Sequence, residues 1–159
     1  MLEARRPLAV LFLGILLLAA GCGGSGRLSK SEYRTRLTAL DREVTKAEAQ
    51  ARSSVVTPNA TVDQIRSALT RVAAAQKHVG DEVANLKPPK EAEAANSLLA
   101  RGAHDLAGEV STVAKQLATV KSRRQALGLV QSMLRTSRGA TELDQAIAQL
   151  KKLGLAPGS

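Results

Sequence analysis

Apolar residues recur at alternating spacings of three and four from Ser29 onward, and this constrains the chain more than any other feature. The first stripe runs Tyr33, Leu37, Leu40, Val44, Ala47, Ala51 and ends at Ser54. The second is Val62, Ile65, Leu69, Val72, Gln76, Val79, Val83, Leu86. The third, Leu99, Ala103, Leu106, Val110, Val113, Leu117, Val120, has no polar interruption. The fourth is Leu129, Met133, Thr136, Ala140, Leu143, Ile147, Leu150. Twenty-six of these 29 positions are apolar in a chain whose overall hydrophobic content is 44%, so the period is helical and not accidental. No sustained strand alternation competes with it, and the surrounding Ala, Leu, Arg, Gln and Glu are good helix formers.

Between the stripes lie the breaks. Ser29 with Glu32, and Thr61 with Gln64, have the spacing of capping boxes, in which each side chain satisfies a backbone N–H of the first helical turn. Thr57-Pro58-Asn59 interrupts the first pair of stripes. Pro88-Pro89 ends the second helix near Leu86, because the residue before a proline avoids helical angles. The third break, around Lys121 to Arg124, contains neither Gly nor Pro. The fourth stripe stays in phase across Gly139, which argues for one continuous helix. These signals predict an all-α fold, an antiparallel up-down-up-down four-helix bundle over 29–153 with helices at about 30–55, 61–87, 90–120 and 123–152. Gly154 and Pro157 fall in a short tail, 154–159. A pair of helical hairpins that completes its core by dimerising is the alternative architecture.

The first 22 residues have a different character. Arg5 and Arg6 precede an apolar run from Leu8 to Leu18, and Ala19, Ala20 and Gly21 lead to Cys22, the sole cysteine. Eleven apolar residues are too few to span a bilayer core of about 30 Å as a helix. Basic residues before the run and small ones after it are the pattern of a signal peptide. With the cysteine directly after Gly21, the segment resembles a bacterial lipoprotein signal, although Ala19 stands where that signal most often has Leu. The resemblance implies removal of 1–21, diacylglycerol on the Cys22 sulfur, and an extracytoplasmic protein anchored to the cell membrane. Residues 22–28 then form the lipidated end of a Gly/Ser tether. The Arg- and Ala-rich helical body behind such a signal is similar to small helical lipoproteins of actinobacteria and other high-GC bacteria.

The chain carries 23 basic and 14 acidic residues, a formal charge of +9. In an up-down bundle, Arg27, Lys30, Lys87, Lys90, Lys151 and Lys152 gather at the tethered end, where anionic headgroups would attract them. Arg52, Lys121, Arg123 and Arg124 gather at the far tip, where Lys121, Arg123 and Arg124 are a candidate site for an anionic cell-wall polymer. Both sets are equally what a helix dipole favours at C-termini. A nucleic-acid role is excluded by the export signal, the interspersed acids and the scarcity of aromatics, with one Tyr, one Phe and no Trp.

Little suggests chemistry. His78 and His104 lie outside the apolar stripes, and no Glu-x-x-His pair exists to build a di-iron centre in a bundle. No nucleophile–base arrangement or phosphate loop emerges, so no metal, cofactor or enzymatic activity is expected. Gln76 and Thr136 both interrupt stripes at similar distances from the turns, which predicts a shared buried polar layer. Three readings of function follow. The leading one is a non-enzymatic interaction or structural module of the envelope, engaging an envelope protein. The alternatives are a carrier or sensor for a small ligand in the bundle interior around Gln76 and Thr136, and an electrostatic binder of anionic polymer or lipid.

Overall fold

A computed structural model describes residues 26–157. The signal segment 1–21, the lipidation position Cys22 and most of the tether lie outside the described residues. Within them the chain is all-helical: α1 Lys30–Val56, α2 Val62–Asn85, α3 Glu93–Gln116, α4 Arg123–Thr136 and α5 Arg138–Lys152. Short 3-10 turns at Lys90–Ala92 and Leu117–Thr119 flank α3.

The helix ends form where local chemistry demands. Both capping boxes are present: Ser29 N–H donates to Glu32 Oε2 at 2.9 Å and Glu32 N–H to Ser29 Oγ at 3.3 Å, and Thr61 and Gln64 repeat the exchange at 2.8 and 3.2 Å. The Ser29 donors also hold the Glu32 carboxyl below its ordinary range. α2 stops at Asn85, ahead of the two prolines. The break without Gly or Pro is made by Ser122, whose hydroxyl accepts the Gln125 N–H at 3.3 Å to start α4. α5 closes in a Schellman turn: Gly154 adopts φ +69°, Leu155 N–H reaches Leu150 O at 2.8 Å, and both leucines are buried.

Two clusters make up the core. One gathers the start of α1 (Tyr33, Leu37), the end of α2 (Val79, Val83), the 3-10 turn and first turn of α3 (Ala92, Ala95), and the end of α5 with the turn after it (Leu150, Leu155). The other gathers Ala60 before α2, Ile65 at its start, the end of α3 with the 3-10 turn after it (Val113, Leu117) and Ala126 of α4. The first three helices therefore alternate in direction, and α5 returns along α3 to the end where the chain began.

One expectation is corrected. The fourth helix is not continuous: Ser137, with φ −63° and ψ 117°, ends α4 and caps α5. The stripe across Gly139 was in phase, but the face that α5 buries is Gly139, Ala146 and Leu150, leaving Thr136 exposed and Ile147 40% exposed. The cause is close approach of two backbones. A Cβ at Gly139 would lie 2.2 Å from the Leu106 backbone nitrogen, and one at Gly102 would lie 2.9 Å from that of Leu143. Small residues make this contact, so a count of large apolar positions finds Leu150 but misses Gly139 and Ala146.

Candidate functional site: a cleft between α1 and α5

The α2–α3 hairpin is the centre of the molecule, and α1 and α5 flank it. α1 is pinned at both ends. Near its start, Tyr33 is fully buried and its hydroxyl donates to Asn96 Oδ1 at 3.0 Å, while Asn96 Nδ2 donates to Val83 O at 3.0 Å. Three helices meet in that relay, and burial pushes the Tyr33 phenol up to about 12. Near the other end Ala51 is buried, and Arg123 of α4 donates from Nη2 to Val55 O at 3.2 Å, in the last turn of α1. Between Leu37 and Ala51 no residue of α1 is fully buried. α5 seats on α3 instead of on α1, so the middle of α1 stands off with nothing directly opposite.

The resulting cleft has a volume of about 340 Å³. α1 lines it with Leu37, Leu40 and Val44, and α2 with Gln76, Val79 and Val83. Leu99, Ala103 and Leu106 of α3 form its floor, and Ala140, Leu143 and Ile147 of α5 its other wall. Exposed Asp41, Thr45 and Glu48 stand along the α1 lip, and Asp144 on the α5 lip. An apolar slot with a few polar groups at its rim can hold a small molecule by burying the molecule's apolar surface and orienting its polar part.

The expected polar layer of Gln76 and Thr136 is not formed. Gln76 is buried, at 3% exposure, but it donates from Nε2 to Glu48 Oε1 at 3.3 Å. Thr136 is exposed, and its hydroxyl turns back to Ser132 O at 3.1 Å. The helix break explains this, since Thr136 is the last residue of α4 and does not continue the face that α5 buries. The other buried polar side chains, Asn96 and Ser137, are likewise bonded within their own surroundings. The Ser137 hydroxyl donates to Glu109 Oε2 at 2.5 Å, and Glu109 Oε1 accepts the N–H groups of Arg138 and Gly139 at 3.0 and 3.2 Å. A carboxylate from α3 thus caps α5 at its positive end.

The distal cations are not one set. Lys121 and Arg124 are exposed, whereas Arg123 is partly buried and its guanidinium holds Val55 O. At the other end Arg27 pairs with Glu93 and donates to Pro88 O at 3.1 Å, and Lys30 pairs with Glu91 at 2.8 Å. Those two cations therefore join the start of α1 to the α2–α3 turn. His78 lies 3.7 Å from Glu43, and His104 lies 3.5 Å from Asp81 with its ring against Gly80, so each bridges neighbouring helices. Among the described residues no group of three or more His, Cys, Asp or Glu side chains is placed to hold a metal ion.

A second depression, between α3 and α4, is larger at about 600 Å³. Its carboxylates are already engaged, Glu109 in capping α5 and Asp105 with Arg138 at 3.6 Å. The α1–α5 cleft is the better candidate because its rim carboxylates Asp41, Glu48 and Asp144 make no ion pair among the described residues, Glu48 accepting only the Gln76 amide. Sequence reasoning passed over Asp41, Glu48 and Asp144, since charged residues beside an apolar stripe ordinarily mark a solvated helix edge. Compared with known proteins, the chain matches no family model, no curated protein and no solved structure. Among the described residues no helix is long and apolar enough to cross a membrane.

Proposed function

We propose that the protein is a lipid-anchored, extracytoplasmic binding module with no catalytic role, and that it receives a small, largely apolar ligand in the α1–α5 cleft. The observation that carries this reading is the cleft itself. About 340 Å³ falls within the roughly 300–1,000 Å³ common for small-molecule sites. It is also walled by four helices held together at both ends, so it does not need to be opened by unfolding. The anchor rests on the sequence around Cys22. Cys22→Ala is expected to release the protein from membranes into the soluble fraction.

The cleft is tested by filling it. The full chain would be purified from its native membranes as wild type and as Val44→Trp, and small molecules would be extracted from each and compared by mass spectrometry. A species present with wild type and missing from a folded Val44→Trp protein supports the reading. Identical extracts from the two proteins would overturn it. Ile147→Trp, at an exposed position, serves if Val44→Trp does not fold.

A second reading, docking of another envelope protein, is favoured by α4. That helix buries only Ala126 and leaves Leu134 61% exposed. Crosslinking from native membranes that traps a protein through α4, and loses it in Leu134→Glu, would support this reading over the first.

A further inference from the structure

The charge at the mouth of the cleft has the wrong sign for this protein. The chain as a whole is +9, yet the charged residues lining the cleft are Asp41, Glu48 and Asp144, with no Lys or Arg among them. None of the three makes an ion pair among the described residues. Several carboxylates elsewhere are paired: Glu91 with Lys30, Glu93 with Arg27, Asp81 with Lys77, and Glu142 with Arg101 and Arg138. Glu48 does receive the Gln76 amide, which orients it without neutralising it. Three unpaired carboxylates around one opening repel one another, and a cation placed between them relieves that repulsion. Low-dielectric walls beside the opening strengthen the effect relative to open water.

Resting on the reading of the cleft as a binding site, we propose that its ligand is a small organic cation with an apolar body. The body lies against the leucines and valines of the slot. The ammonium group sits at the mouth, between Asp41 and Glu48 on the α1 lip and Asp144 on the α5 lip. Anionic amphiphiles are excluded by the same charges, which keeps the cleft of a membrane-tethered protein free of acidic lipid headgroups.

Three probes of one shape separate this inference from the reading beneath it: 4-phenylbutylamine, 4-phenylbutanol and 4-phenylbutyrate. Each is titrated calorimetrically into the full-length lipidated protein in phosphatidylcholine nanodiscs, with empty nanodiscs as the blank. The amine should bind tightest and the carboxylate weakest. Neutralising the mouth in Asp41→Asn/Asp144→Asn should weaken the amine roughly tenfold while leaving the alcohol unchanged. Added salt should shrink the preference in the wild type. If all three probes bind alike and Val44→Trp or Ile147→Trp abolishes them, the charge inference falls and the apolar cleft stands. If none binds in a manner that the filled variants abolish, both fall.

Discussion

α1 and α5 flank the same central hairpin in different ways. α5 is seated along its length: Gly102 and Gly139 let its backbone touch that of α3, Ala146 and Leu150 are buried, and Glu109 caps its start. α1 is held at its ends by Tyr33 and by the Arg123 contact to Val55, with a partly exposed middle. Leu40 and Val44 of α1 pack at the edge of the core and line the cleft, whereas the glycines at the α3–α5 crossing let α5 come close. Helix separation is set by the smallest residues at a crossing, and the cleft opens where one flanking helix sits close and the other does not.

The sharpest way to break this contrast is Gly139→Ala. The added methyl would meet Leu106 backbone atoms that cannot rotate away, so α5 must lift from α3. We expect a loss of at least about 3 kcal/mol in denaturant unfolding, at the upper end of overpacking costs. Gly108→Ala, where nothing lies within 4 Å, is the control and should stabilise by about 0.5–1 kcal/mol. Equal effects at the two sites would remove glycine contact as the reason for the close seam.

Next in size is the pin at the start of α1. Tyr33→Phe leaves the buried Asn96 Oδ1 without its donor and should cost about 1–3 kcal/mol near neutral pH. The pH dependence has a definite sign. The phenol is raised to about 12 in the folded protein, from an ordinary value of 10.0. Its contribution is therefore complete below about pH 10 and is lost as pH rises through about 12, because the unfolded chain gives up the proton first. The stability gap between wild type and Tyr33→Phe should close across that window. A gap that stays constant from pH 9 to 12 would show that the phenol is not held neutral by burial.

The smallest expected effect is at the cap of α5. Glu109→Gln keeps an acceptor oxygen but removes the charge at the helix start, and should cost about 1 kcal/mol. Hydrogen exchange would read it locally, with faster exchange at Arg138 to Ala140 and no change in α1.

Much of the fold was legible. Both capping boxes, the proline stop after α2 and the break before Arg123 rest on chemistry among residues a few positions apart, and three of the four stripes lie wholly inside or at the edge of the core. The fourth stripe misled because apolar period measures large side chains, whereas α5 docks through Gly139 and Ala146. Gln76 was read correctly as buried, but its partner was not, since Glu48 reaches it from another helix.

Period and neighbours within a turn are enough to make the described chain helical, to place most helix ends and to choose which faces of α1 to α3 turn inward. Tertiary structure decided three further things: that Ser137 divides the last helix, that Arg123 serves α1, and that Asp41, Glu48 and Asp144 share one opening. Each depends on how near one helix comes to another, a distance that the spacing of residues within a single helix does not carry.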